Sequence, residues 1–72
     1  MGILKLYEYN NEKTKRKIVV YTNGQVIDCK YYREEKMTYN SYNQYSFVAY
    51  LKGCEIPKKV IRDIEKLEIK EV

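Results

Sequence analysis

The stretch Lys17-Ile-Val-Val-Tyr-Thr-Asn-Gly-Gln-Val-Ile-Asp-Cys-Lys-Tyr-Tyr32 places two runs of β-forming residues on either side of Asn23-Gly24. An Asn-Gly pair between such runs favours a two-residue type I′ turn, because that turn needs positive φ at both central residues. The stretch therefore predicts a β-hairpin. Its predicted cross-strand pairs are Thr22 with Gln25, Val20 with Ile27, and Ile18 with Cys29 on one face, and Val19 with Asp28 and Tyr21 with Val26 on the other.

The segments before this hairpin predict another strand and a loop. Residues 3–9 alternate, with Leu4 and Leu6 on one face and Lys5, Tyr7 and Tyr9 on the other. Residues 10–15 are polar and contain turn-forming asparagines, so they predict the first hairpin loop.

The segments after the hairpin are less uniform. Residues 33–44 show no period that separates strand from loop. In residues 45–52, Tyr45, Phe47, Ala49 and Leu51 alternate with other side chains and predict a fourth strand, which ends at Gly53. If the third and fourth strands form a hairpin with its tip at residues 40–43, Tyr39 pairs with Gln44, Cys29 pairs with Cys54, and a disulfide becomes geometrically conceivable.

A helix is predicted near the C-terminal end of the chain. Pro57 suits the first helical position, and apolar residues follow at helical spacing. These residues are Val60, Ile61, Ile64 and Leu67. Residues 68–72 alternate again and predict either a short closing strand or a frayed helix end.

Together these elements predict one α+β domain over residues 1–72: a small antiparallel four-stranded β-meander with one C-terminal helix packed on one face, and a possible short final strand. A chain of 72 residues has room for a single core. The predicted core consists of Leu4, Leu6, Ile18, Val20, Ile27, Cys29, Phe47, Ala49, Leu51, Val60, Ile61 and Ile64.

The composition narrows the classes of function. The chain has no histidine and only two cysteines, so a zinc site, a disulfide framework and a histidine-activated nucleophile are not expected. We expect no enzyme activity and no cofactor. No apolar run reaches the roughly 20 residues of a membrane span, and the first residues lack the plan of a secretory signal. The sequence therefore predicts a cytoplasmic protein with no membrane partner.

Tyrosine is the most informative residue type, since nine of the ten aromatic residues are tyrosine. The predicted registers place Tyr7, Tyr9, Tyr21 and Tyr50 on the sheet face that the helix leaves uncovered. Lysines near tyrosine rings can hold single-stranded nucleic acid, because bases stack on the rings and ammonium groups neutralise phosphates. The predicted binding residues are Tyr7, Tyr9, Lys15, Arg16, Lys17, Tyr21, Lys30, Tyr39, Tyr42 and Tyr50.

Two local features extend this hypothesis. The basic cluster from Lys13 to Lys17 can be a phosphate-contacting corner or merely a solvated loop. Residues 39–45 are rich in Tyr, Asn and Ser and can be a recognition loop or a mobile hairpin tip.

The partner stays open between several classes. The net charge of +4 favours acidic partners, and the leading class is a nucleic acid or a nucleic-acid-handling protein. The alternative is a small protein-interaction module, for example a viral or mobile-element protein that inhibits a host enzyme by direct binding. A homodimer through the same face is compatible with both. Tyrosine also has high β-propensity, so such a face can arise without a ligand.

Overall fold

A computed structural model describes residues 2–69 of the chain. Four strands form one antiparallel sheet in the order β1-β2-β3-β4, and two helices follow. The strands are β1 (Leu4–Asn11), β2 (Arg16–Thr22), β3 (Ile27–Arg33) and β4 (Lys36–Ser41), and the helices are α1 (Gln44–Lys52) and α2 (Lys58–Glu65). The predicted α+β class and antiparallel meander are confirmed, with two helices in place of one.

The hairpin between β2 and β3 forms with a longer loop than predicted. Thr22 pairs with Ile27 and Val20 with Cys29, so the register is displaced by two residues. The Oδ1 atom of Asn23 accepts hydrogen bonds from the backbone N–H groups of Gln25 and Val26, which closes a four-residue loop. Because the displacement is an even number, the predicted faces of both strands are preserved.

The type I′ conformation that Asn23-Gly24 predicted occurs at a different turn. Glu34 and Glu35, between β3 and β4, have φ angles of 52° and 68°. Two consecutive positive φ values are what a two-residue hairpin of this type requires. Two glutamates gave no sequence signal for such a turn, and residues 33–44 could not be assigned for that reason.

The predicted fourth strand at residues 45–52 is wrong, because this segment forms α1. The Oδ1 atom of Asn43 accepts a hydrogen bond from the N–H of Ser46 and caps the helix. Phe47, Val48 and Leu51 are buried at helical spacing, whereas Ala49 is exposed. Phe47 and Leu51 fit a two-residue and a helical period equally well, which explains the error.

The second helix matches the prediction closely. Pro57 is the N-cap, one position before the first helical residue, and Val60, Ile61 and Ile64 are buried. Leu67 lies just beyond the helix and packs against the core. Residues 68 and 69 form no strand, and the rest of the predicted closing strand, residues 70–72, lies outside the described residues.

The core lies between the two helices and one face of the sheet. Ile18, Val20, Cys29 and Phe47 are fully buried as predicted, and Tyr31 adds the largest buried side chain. Leu4 and Ala49 are exposed, so their predicted core positions are wrong. The predicted pairing of Cys29 with Cys54 is also wrong, because Cys29 pairs with Ser41 and both cysteines are free thiols.

An aromatic stack attaches α1 to the sheet. The ring of Tyr39 in β4 lies parallel to that of Tyr50 in α1, with 4.2 Å between centroids. Tyr31 meets Tyr50 edge to face at 5.9 Å, and the Phe47 ring is nearly parallel to that of Tyr39, with 6.1 Å between centroids. Aromatic pairs in these geometries add about 0.5–1.5 kcal/mol beyond their buried area.

We expect Tyr50→Ala to destabilise the fold by about 2–4 kcal/mol, because the substitution removes a ring from this stack and leaves a cavity. Tyr21→Ala is the matched control, since Tyr21 lies on the opposite face of the sheet, and it should cost about 1 kcal/mol or less. Urea denaturation followed by circular dichroism measures both. Equal losses for the two variants would contradict this assignment of faces.

The Cys29 thiol gives the fold a measurable pH dependence. Burial, with a smaller effect of nearby Asp28, raises the pKa of Cys29 from 9.0 to about 12. The unfolded chain therefore releases this proton first, and the stabilisation is complete below pH 9 and is lost as the pH rises toward 12. We expect the free energy of unfolding to fall between pH 9 and 11, and to fall less steeply in Cys29→Ala.

Burial also raises the pKa values of Tyr7 and Tyr31, so Cys29→Ala should retain part of the slope. The comparison uses slopes and not absolute stabilities, because the substitution itself leaves a small cavity. Identical slopes in both proteins would show that the Cys29 thiol is not held neutral by the fold.

Candidate binding surface

The sheet face opposite the helices, called the open face below, is polar and charged. Its residues follow from the strand registers, because directly paired residues point to the same side. They are Lys5, Glu8, Asn10, Lys17, Val19, Tyr21, Asp28, Lys30, Tyr32, Met37 and Asn40. Val19, at the centre of this face, is only 3% exposed, although it is not part of the hydrophobic core cluster on the helix side. The long side chains around it therefore cover the centre of the open face.

A β-bulge in β1 decides which tyrosines reach the open face. The register shifts between Lys5 and Tyr7, so that Tyr7 pairs with Val20 and Tyr9 with Ile18 on the helix side. The hydroxyl of Tyr7 donates a hydrogen bond to Asp63 in α2, at 3.3 Å. Tyr7 and Tyr9 therefore lie under the helices, and their predicted place on the uncovered face is wrong.

The charges away from the hairpin loops on the open face are paired. Lys5 forms an ion pair with Glu8, and Lys30 lies 3.3 Å from Asp28. The side-chain amide of Asn40 donates a hydrogen bond to the Asp28 carboxylate at 2.7 Å. The hydrogen bond from Lys5 lowers the pKa of Glu8 and raises that of Lys5. This part of the face neutralises itself.

A cleft of about 560 Å³ opens where the β1–β2 loop and the β3–β4 turn lie side by side, and it is called the loop-end cleft below. It is lined by Asn10, Glu12, Lys15, Lys17, Tyr32 and Glu35. The backbone N–H of Glu34 donates a hydrogen bond to the carbonyl oxygen of Lys15 at 2.7 Å. This bond joins the two connections, so the walls of the cleft are held at a defined separation.

The charges in the loop-end cleft are not paired with each other. Among residues 2–69, no ion pair within 4.0 Å involves Glu12, Lys15, Lys17 or Glu35. The Nζ atom of Lys17 lies 5.8 Å from the ring centroid of Tyr32, within the range of a cation–π contact. Two ammonium groups, two carboxylates and an aromatic ring therefore face one cavity with their main hydrogen-bonding capacity unused.

Backbone strain is concentrated at the same place. Lys15, Glu34 and Glu35 are the three residues other than glycine with positive φ in the described chain. Side chains with a Cβ atom adopt this conformation at a cost of roughly 1–2 kcal/mol each. At Glu34 and Glu35 the positive φ values belong to the two-residue turn between β3 and β4. The cleft is the leading candidate for function because of its unpaired charges and its volume.

The structure brings four of the predicted binding residues to the open face or its cleft: Lys15, Lys17, Tyr21 and Lys30. Tyr39 and Tyr50 lie in the aromatic stack between α1 and the sheet, so the predicted place of Tyr50 on the uncovered face is wrong. Arg16 points to the helix side, where its guanidinium donates to the carbonyl oxygen of Glu55 at 2.8 Å. Tyr42 is 64% exposed beside the start of α1.

The predicted recognition loop, residues 39–45, is divided between elements. Its first residues belong to β4 and its last residues to α1. Only the short connection at positions 42 and 43 lies outside regular structure.

Sequence reasoning missed Asn10, Glu12, Tyr32 and Glu35. A signal for Tyr32 was present, since the predicted hairpin register, extended to its ends, places it opposite Lys15 in the basic cluster. Glu12 and Glu35 carry no local signal, because their proximity depends on how the two connections pack.

Among residues 2–69, no three His, Cys, Asp or Glu side chains come together in a way that could hold a metal ion. The helices of the described chain are too short and too polar for any of them to cross a membrane.

No protein-family model, curated protein or solved structure matches the chain.

Proposed function

We propose that this chain is a non-catalytic binding module that holds single-stranded nucleic acid in the loop-end cleft and along the adjoining open face. The observation that supports this most directly is the distribution of charge. Residues 12–17 and 33–36 hold six basic side chains and three carboxylates, a net charge of +3, which is most of the chain's +4. A polyanion is attracted to such an end of the molecule before it makes any specific contact.

Aromatic rings on the same face favour a single strand over a duplex. Tyr32 and Tyr21 lie on adjacent strands, because Tyr32 pairs with Lys17 and Tyr21 with Asp28. The two pairs are four residues apart, roughly 13 Å along the strands. Unpaired bases can stack on both rings, whereas a duplex keeps its bases stacked inside.

A protein partner is the second candidate, and a different surface favours it. Tyr42 and Tyr45, beside and within the start of α1, are 64% and 90% exposed. Tyrosine is enriched among the residues that contribute most to protein–protein binding. A nucleic-acid-handling protein that the chain inhibits by direct contact would fit this surface.

Fluorescence anisotropy with a labelled ten-nucleotide single strand tests the proposal. We expect binding that weakens as salt rises, with a logarithmic slope of about −0.7 for each phosphate contacted. The double variant Lys15→Gln/Lys17→Gln should bind more weakly and should reduce the slope by about 1.4 if each lysine contacts one phosphate. A duplex of the same length should bind less tightly.

Lys58→Gln/Lys66→Gln is the matched control, because it removes the same charge from the α2 side and neither lysine forms an ion pair among residues 2–69. It should retain nearly the full affinity. Equal weakening by both double variants would show attraction to net charge alone, and no binding at low salt would exclude nucleic acid and favour the protein partner.

A further inference from the structure

We propose that the loop-end cleft accepts one unpaired guanine base of the bound strand. This inference rests on the proposed function and specifies what the cleft recognises. It follows from the two carboxylates, Glu12 and Glu35, which line the same cavity as Lys15 and Lys17.

The carboxylates show that the cleft is not built for phosphate alone. A site that held only a phosphate would be weakened by two nearby negative charges. On the rest of the open face each carboxylate is matched by a lysine, as Asp28 is by Lys30. Glu12 and Glu35 have no such partner among residues 2–69, so a ligand that suits this cleft offers N–H donors as well as negative charge.

Guanine is the base that meets this requirement best. An ionised carboxylate accepts hydrogen bonds through two oxygens and donates none. The Watson–Crick edge of guanine presents two neighbouring donors, N1–H and the 2-amino group, and can pair with both oxygens at once. Adenine and cytosine place an acceptor nitrogen beside their single amino group, and thymine and uracil place carbonyl groups on both sides of one N–H. In each of those bases an acceptor atom would lie against a carboxylate oxygen, and the two atoms repel each other because neither carries a hydrogen to share.

The remaining groups of the cleft suit the rest of a nucleotide. The Tyr32 ring supplies a surface on which the base can stack. The ammonium group of Lys17 lies over that ring, 5.8 Å from its centre. A base that stacks on this side of the ring displaces the ammonium group, which then reaches the phosphate attached to the base. A volume of about 560 Å³ is in the range of sites that hold small ligands.

The turn between β3 and β4 fixes the backbone that carries Glu35. Glu35 follows Glu34, whose N–H is bonded to the carbonyl oxygen of Lys15 in the opposite wall. The carboxylate of Glu35 and the ammonium group of Lys15 are therefore carried by connections that cannot separate freely. The bond fixes where the two side chains leave the backbone, and the exposed carboxylate of Glu35 takes up its final position when it pairs with the base.

The test uses four labelled ten-nucleotide strands: oligothymidine, and oligothymidine with one central dG, dA or dC. Lithium buffer prevents guanine strands from associating with each other. We expect the dG strand to bind about ten-fold more tightly than the other three, since one bidentate pair contributes about 1–3 kcal/mol of discrimination and 1.4 kcal/mol is ten-fold. Glu12→Gln and Glu35→Gln, made separately, identify which carboxylate contacts the base.

In the variant that removes the contacting carboxylate, the preference for dG should fall to about two-fold or less, while oligothymidine binds as tightly as before or slightly more tightly. Glu68→Gln is the matched control, because it removes the same charge outside the cleft, and it should keep the preference. Equal affinity for all four strands, or a preference that survives both substitutions, would overturn the guanine assignment and leave the proposed function standing. No binding of any strand would overturn the proposed function itself.

Discussion

The contact between Tyr39 and Tyr50, with ring centroids 4.2 Å apart, is the interaction on which the division of this molecule into two faces depends. It holds α1 over β3 and β4 and brings Phe47 and Tyr31 into the same aromatic cluster. Tyrosines that would otherwise be available to a ligand are thereby used for stability. The open face keeps Tyr21 and Tyr32, and its character is set more by charge than by aromatic area.

The two sheet faces satisfy different physical requirements. On the helix side, Tyr7 donates to Asp63, and Gln44 in α1 donates to the backbone of Ile64 and Leu67. The Tyr31 hydroxyl and the Arg16 Nε atom are buried there without a hydrogen-bond partner among residues 2–69. On the open side, the ion pairs Lys5–Glu8 and Lys30–Asp28 leave unpaired charge only at the loop-end cleft. Surface ion pairs of this kind add little stability. Their effect is to confine the unpaired charge of the open side to the loop-end cleft.

The fold class could be predicted from the sequence because the alternation in β2 and β3 and the helical stripe of α2 are strong, regular signals. Three features of the fold could not be predicted from the sequence. The bulge near Leu6 reversed the faces of Tyr7 and Tyr9, and one extra residue in a strand leaves no mark on composition. Helix α1 is short and four of its nine residues are Tyr, Phe or Val, so its β-propensity opposed the cap at Asn43. The turn at Glu34 and Glu35 uses positive φ without glycine or asparagine, and tertiary contacts such as the bond to Lys15 support it.

These same features explain the errors in the predicted binding residues. The basic run at Lys15 and Lys17 was recognisable because charge clusters are visible in sequence. The carboxylates that give the cleft its chemistry come from two connections more than 20 positions apart in the chain, and no local pattern reports that they meet. The loop end of the sheet, where these charges meet, is the surface that we propose binds the partner.

The most direct test is a two-dimensional NMR titration, in which backbone amide shifts of the labelled protein are followed as a single-stranded oligonucleotide is added. We expect the largest changes in residues 10–17 and 30–36, with smaller changes along the open face and little change in α2. Changes concentrated around Tyr42 and Tyr45, or spread over the helices with the loop end unaffected, would contradict it.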